Sequence, residues 1–151
     1  MMKYKFLPHT ADIKFQAFGN SLEECFENAG LALTNIIYEG KIKPSVKKTI
    51  KVRGRDRESL LYNFLEEFLY LLDVGGFVVG EIKNITIRSS YKIKNKKKFY
   101  DMELTADVFG DSSENYSLEG DVKAVTYNDM WIKNPSEDGG RKFVCQVVVD
   151  V

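Results

Sequence analysis

Apolar and polar positions along this chain switch between two periods, and the switches divide it into elements. Ile13, Phe15 and Ala17 alternate with Lys14 and Gln16, the two-residue period of a strand with one buried face. The charge-alternating start, Met1 to Leu7, reads as a strand before it. The period then lengthens. Leu22, Cys25, Phe26, Ala29, Leu33 and Ile36 recur at three- and four-residue steps, the apolar stripe of a helix lying on a sheet. Ser21-Leu22-Glu23-Glu24 has the S-x-x-E spacing of a capping box, in which serine and glutamate satisfy backbone donors that the first turn leaves free. Gly40 and Pro44 mark the loop that follows.

The same order then recurs. Thr49 to Arg53 reads as a strand and Asp56 as the cap of a second helix through Leu72, striped by Leu61, Phe64, Leu65, Phe68, Leu69 and Leu72. Gly75-Gly76 supplies its left-handed exit. Alternation at Ile82 to Arg88 and at Tyr100, Met102, Leu104, Ala106 and Val108 predicts a hairpin whose strands are separated by a lysine-rich turn. Three strand-like runs remain, Val122 to Tyr127, Met130 to Lys133 and Phe143 to Val149, with an exposed turn over Asn134 to Gly140. The predicted fold class is α+β: a two-layer sandwich of two strand-helix-strand-strand units within a single domain, 1–151, the second unit inserted in the first at about residues 45 to 108. Such nesting makes the chain ends neighbours and brings Asp12 towards Val151.

Composition narrows the class. A chain of 151 residues with 44% apolar and 29% charged residues and only three prolines is globular, with enough apolar surface for one core. Apolar runs such as Val147-Val148-Val149 fall far short of the ~20 residues of a spanning helix. The first residues lack the apolar core of a signal peptide, so a cytoplasmic protein with no membrane partner is expected. Cys25 and Cys145, far apart in apolar patterns, read as free buried thiols. The formal net charge of zero conceals segregation. Lys41 to Arg57 carries eight basic residues against one acid, Asp101 to Asp121 carries seven acids and no base, and lysines at 92, 94, 96, 97 and 98 form a second basic cluster.

Candidate chemistry is sparse. With His9 as the only histidine, neither a His-based triad nor a multi-histidine metal site is expected. The chain has no GxxxxGK[ST], GxGxxG, HExxH or GxSxG motif, so no self-sufficient catalytic machinery is expected. Asp12, at the edge of an apolar strand, needs either backbone donors in a turn or a cation to justify its position. Asp150 ends the run Val147-Val148-Val149, and Val151 adds a terminal carboxylate where it is the native end. If the ends meet, Asp12, Asp150 and Val151 make an all-oxygen cluster suited to a hard cation such as Ca²⁺ or Mg²⁺. Lys123, before Ala124-Val125, reads either as a snorkelling lysine or as a polar anchor for a partner.

Four blocks, in order, resemble the archease family: His9-Thr10-Ala11-Asp12; the helix Ser21 to Ala29; Leu69-Tyr70-Leu71-Leu72-Asp73 with Gly76-Phe77-Val78; and Lys123-Ala124-Val125-Thr126-Tyr127. The resemblance runs nearly end to end. It implies a non-catalytic accessory protein that assists the GTP-dependent RNA-splicing ligase of tRNA splicing, promoting ligase guanylylation and multiple turnover. It also implies that Asp12, in the block shared with His9, and Asp150 with Val151 hold a divalent ion, usually Ca²⁺, and that Lys123 serves the partner. The block departs from the family's usual T-Y-H, because Asn128 follows Tyr127 and cannot titrate near neutrality. Two other readings stand beside this one. The first is a chaperone-like partner of a tRNA methyltransferase. The second is a direct RNA-binding module using Lys41 to Arg57 and Lys92 to Lys98.

Overall fold

The computed structural model describes residues 2–118, 121–137, 139–140 and 142–151. Met1 of the expected first strand, Glu119 of the acidic stretch and Asp138 of the expected turn lie outside them. The elements run β1 (Tyr4–Leu7), β2 (Ile13–Gly19), α1 (Leu22–Ile37), β3 (Val46–Gly54), α2 (Arg57–Gly75), β4 (Phe77–Lys94), β5 (Lys97–Ser112), a short 3₁₀ turn at Ser113–Asn115, β6 (Ala124–Lys133) and β7 (Phe143–Asp150). Two antiparallel sheets result, one in the order β1-β2-β7-β6 and the other β3-β5-β4. The fold class is α+β. The second sheet is contributed wholly by chain lying between α1 and β6.

The local signals explain both helices. Ser21 Oγ accepts from the Glu24 N–H at 3.1 Å, and the Glu24 carboxylate accepts from Asn20 N–H at 2.8 Å, one residue earlier than a strict capping box requires. At α2 the box is complete: Asp56 accepts from Ser59 N–H at 2.7 Å, and Ser59 Oγ accepts from Asp56 N–H at 3.2 Å. Gly75 is the last residue of α2, and Gly76, at φ 58°, is its left-handed cap. Each helix packs on the strand before it and on a strand of the opposite sheet, α1 on β2 and β4 and α2 on β3 and β6. Phe26, Phe64 and Phe68 meet where the helices approach, with ring centroids 6.2 and 5.1 Å apart along that row. A single cluster of buried side chains therefore joins both sheets.

Two parts of the chain differ from the sequence expectation. The hairpin strands extend beyond 82–88 and 100–108 to 77–94 and 97–112, and the lysine-rich segment is itself strand. The turn is only Asn95-Lys96, both at positive φ, 52° and 63°, as a two-residue hairpin connection that matches strand twist requires. The runs expected as separate strands at 122–127 and 130–133 form one strand, β6, interrupted by a register shift between Thr126 and Trp131. Asp129, at φ 52°, turns the backbone there, and the Gln146 side chain donates to its carbonyl at 2.9 Å. Among the described residues no helix is long and apolar enough to cross a membrane.

Candidate functional site

The order β1-β2-β7-β6 sets where the singled-out residues fall. Ile13 pairs with Val149 and Ala124 with Asp150. One step outward from Ile13–Val149, the antiparallel register brings Asp12 level with Asp150. On the other side of β7, the Lys123 N–H donates to the Asp150 carbonyl at 2.9 Å. Three distant stretches of chain, 9–12, 123–124 and 149–151, thus converge at one end of the first sheet. Val149 is fully buried, Asp150 half-buried and Val151 exposed, so the end of β7 passes from the core into solvent within three residues.

Ala11 precedes Asp12 at φ 68°, a left-handed conformation that a side chain with a Cβ adopts only at a cost. This turn brings His9 back over the strand start, its Nδ1 3.9 Å from Asp12 Oδ2. Among the described residues neither Asp12 nor Asp150 forms an ion pair with a lysine or arginine. A hard cation binds oxygen ligands, and the carboxylates of Asp12, just before β2, and Asp150, at the end of β7, are of that kind. Their oxygen chemistry fits Ca²⁺ or Mg²⁺. No group of three His, Cys, Asp or Glu side chains is placed to hold a metal among the described residues, so an ion there would need further oxygens from backbone or water.

A cleft of about 470 Å³ opens beside Asp12, with His9, Phe6, Pro8, Ile13 and Ile36 in its wall. It joins apolar surface to the acidic end, and Glu39 and Asn35 add polar groups from the end of α1. Lys123 is exposed. Asn128 lies in the β6 irregularity, where its N–H donates to Thr126 Oγ1 at 3.3 Å. Tyr127 beside it stacks on Tyr62 of α2, centroids 4.3 Å apart and planes 9° apart. Burial raises both phenols above their ordinary range, with the charge of Glu66 adding to it at Tyr62 and that of Asp56 at Tyr127.

Residues not singled out from sequence brace this end. Lys14 lies 3.4 Å from Asp129, and the Gln16 side chain donates to Gln146 at 3.0 Å, so polar groups tie β2, β7 and β6 together below Asp12. Gln146, the one polar residue inside the apolar run of β7, and Gln16 opposite it were the available signal. On the core side Cys25 and Cys145 are free and fully buried; their mutual hydrogen bond, then burial, pushes the Cys145 thiol far up.

Comparison with known proteins gives one answer. The archease protein family (MTH1598/TM1083) matches residues 4–151. "Protein archease" of Pyrococcus furiosus is 38% identical over 154 aligned positions, covering all of both chains, and that of Methanosarcina barkeri is 40% identical over 152, covering 99% of this chain and 96% of the other. The solution structure of Methanobacterium thermoautotrophicum protein 1598 covers all of both chains at a TM-score of 0.72 and 29% identity. With the family pattern spanning the whole fold and carrying the 9–12 and 123–127 blocks into one end of one sheet, the chain belongs to the archease family.

Proposed function

We propose that this protein is a non-catalytic accessory factor that activates the GTP-dependent RNA-splicing ligase of tRNA splicing, promoting guanylylation of the ligase and its multiple turnover. The observation that carries the reading is the convergence of Asp12, Asp150, Val151 and Lys123 at one end of the β1-β2-β7-β6 sheet, beside an apolar cleft. Asp12 and Asp150, with Val151 where it ends the chain, would hold a divalent cation, Ca²⁺ or Mg²⁺. Such an ion supplies positive charge to phosphate oxygens. His9 sits where it can orient the Asp12 carboxylate, and the exposed Lys123 ammonium is free to meet an anionic group of the ligase. Phe6, Pro8 and Ile36 give the cleft apolar walls against which a ligase segment can be seated.

The reading is tested by calorimetric titration with Ca²⁺ and Mg²⁺, and by transfer of labelled GMP to the matching ligase. Binding that Asp12→Ala abolishes, with guanylylation accelerated by wild type and not by Asp12→Ala or Lys123→Ala, is the expected result. Guanylylation unchanged by the wild-type protein contradicts it. Co-purification with a tRNA methyltransferase instead of the ligase would favour the chaperone-like alternative.

A further inference from the structure

Part of the charge segregation of the chain is cancelled in the fold. Basic β3 pairs with acidic β5: Lys47 lies 3.8 Å from Asp107, and Lys51 and Arg53 lie 3.7 and 3.2 Å from Glu103. The tip of the β4–β5 hairpin has no such compensation. Residues 88–100 hold Arg88 and five lysines with no acid, and none of these side chains makes an ion pair among the described residues.

The same tip exposes rings. Tyr91, Phe99 and Tyr100 are 54, 52 and 52% exposed, which a purely solubilising lysine cluster does not require. Tyr91 faces Tyr100 across the ladder, with centroids 6.2 Å apart and planes inclined at 56°, and Lys98 Nζ lies 4.8 Å from the Tyr91 ring centre. These two tyrosines continue the sheet face that carries Met102 and Leu104 into the core, beyond the point where packing ends. Lys92, Lys94, Lys97 and Phe99 share the opposite face.

We propose that this projecting hairpin is a binding finger for single-stranded RNA, with Tyr91 and Tyr100 stacking on unpaired bases, and with Lys98 on the same face and Lys92, Lys94 and Lys97 on the other contacting phosphates as the strand wraps round the two-stranded ribbon. Aromatic faces set among uncompensated lysines are the pairing that binds a strand through its backbone and bases together. An anionic membrane is disfavoured, because Ile93 and Phe99 are the only wholly apolar side chains of the tip and lie on opposite faces of the ribbon, too little to insert together. The finger acts independently of the carboxylate end.

Fluorescence anisotropy of the full-length protein with a labelled single-stranded RNA of about 12 nucleotides tests this across about 50 to 200 mM salt. Tyr91→Ala with Tyr100→Ala weakens binding about tenfold or more, whereas Tyr91→Phe retains it. Lys94→Ala with Lys97→Ala lowers the slope of log affinity against log salt by about 1.4, at about 0.7 for each lost phosphate contact. Asp12→Ala leaves both quantities unchanged, so failure of the ligase reading and failure of this one are distinguishable. No binding at low salt overturns the proposal, as does binding that survives loss of both tyrosines or is equally tight to duplex RNA. Co-sedimentation with phosphatidylserine-containing vesicles that depends on the same residues, without RNA binding, overturns it in favour of a membrane surface.

Discussion

Ala11 pays a backbone cost immediately before a carboxylate that has no lysine or arginine partner among the described residues. The left-handed turn sets where β2 begins and hence that Asp12 is level with Asp150. Ala11→Gly should raise stability by about 1 kcal/mol by denaturant titration, since strain relief of about 1–2 kcal/mol exceeds the added freedom of the unfolded chain. A second residue-scale prediction concerns Asp111. The Tyr116 hydroxyl donates to it at 2.9 Å, and this bond, then the Ser112 N–H, holds its carboxyl below the ordinary range. A carboxyl depressed in the folded state binds fewer protons there than when unfolded, so its contribution is present above the unfolded value and lost as pH falls through the folded one. Tyr116→Phe should therefore lose stability at neutral pH and show a shallower decline on acidification, read from denaturant midpoints between neutral and acid pH. Asp12, Asp150 and Lys123 stand out in sequence because charge at the edge of an apolar strand demands a reason. The strain at Ala11 was not legible there, because composition carries no φ.

Both helices begin in the same way, and a glycine permits it. Gly19 ends β2 and Gly54 ends β3; a Cβ on the first would stand 2.3 Å from the Cys25 nitrogen, and on the second 2.5 Å from the Leu60 nitrogen. Backbone cannot yield as a side-chain tip can, so Gly19→Ala and Gly54→Ala should each cost about 3 kcal/mol in chemical denaturation. The capped amphipathic helices were readable because Ser21 and Asp56 stand immediately before their stripes. The hairpin was readable only where packing imposes alternation. Beyond Met102 both faces are exposed, so lysines and aromatics mix and the two-residue signal disappears although the ladder continues through Lys94–Lys97. In β6 a bulge between Thr126 and Trp131 shifts the phase of the pattern, which is why one strand reads as two.

At the scale of the molecule, the fold closes β2 and β7 into adjacent strands and sends the long hairpin out from the other sheet. If the carboxylate end holds Ca²⁺ in the folded state only, binding and stability are linked. Free Ca²⁺ at about 100 times the dissociation constant should add about 2.7 kcal/mol, a rise in Tm of about 5–10 °C for a chain of this length. Asp12→Asn should abolish the rise by scanning calorimetry while leaving the metal-free Tm little changed, because Asp12 makes no ion pair with a lysine or arginine among the described residues. Nothing in the sequence pattern alone could join residue 12 to residue 150 without the nested order of strands. The most direct test of the account is multiple-turnover ligation of tRNA halves by the matching ligase, with GTP and divalent metal, in the presence and absence of this protein. Wild type should raise the number of turnovers per ligase, and Asp12→Ala and Lys123→Ala should each lose the effect. Turnover unaffected by wild type, or raised equally by the two variants, would contradict it.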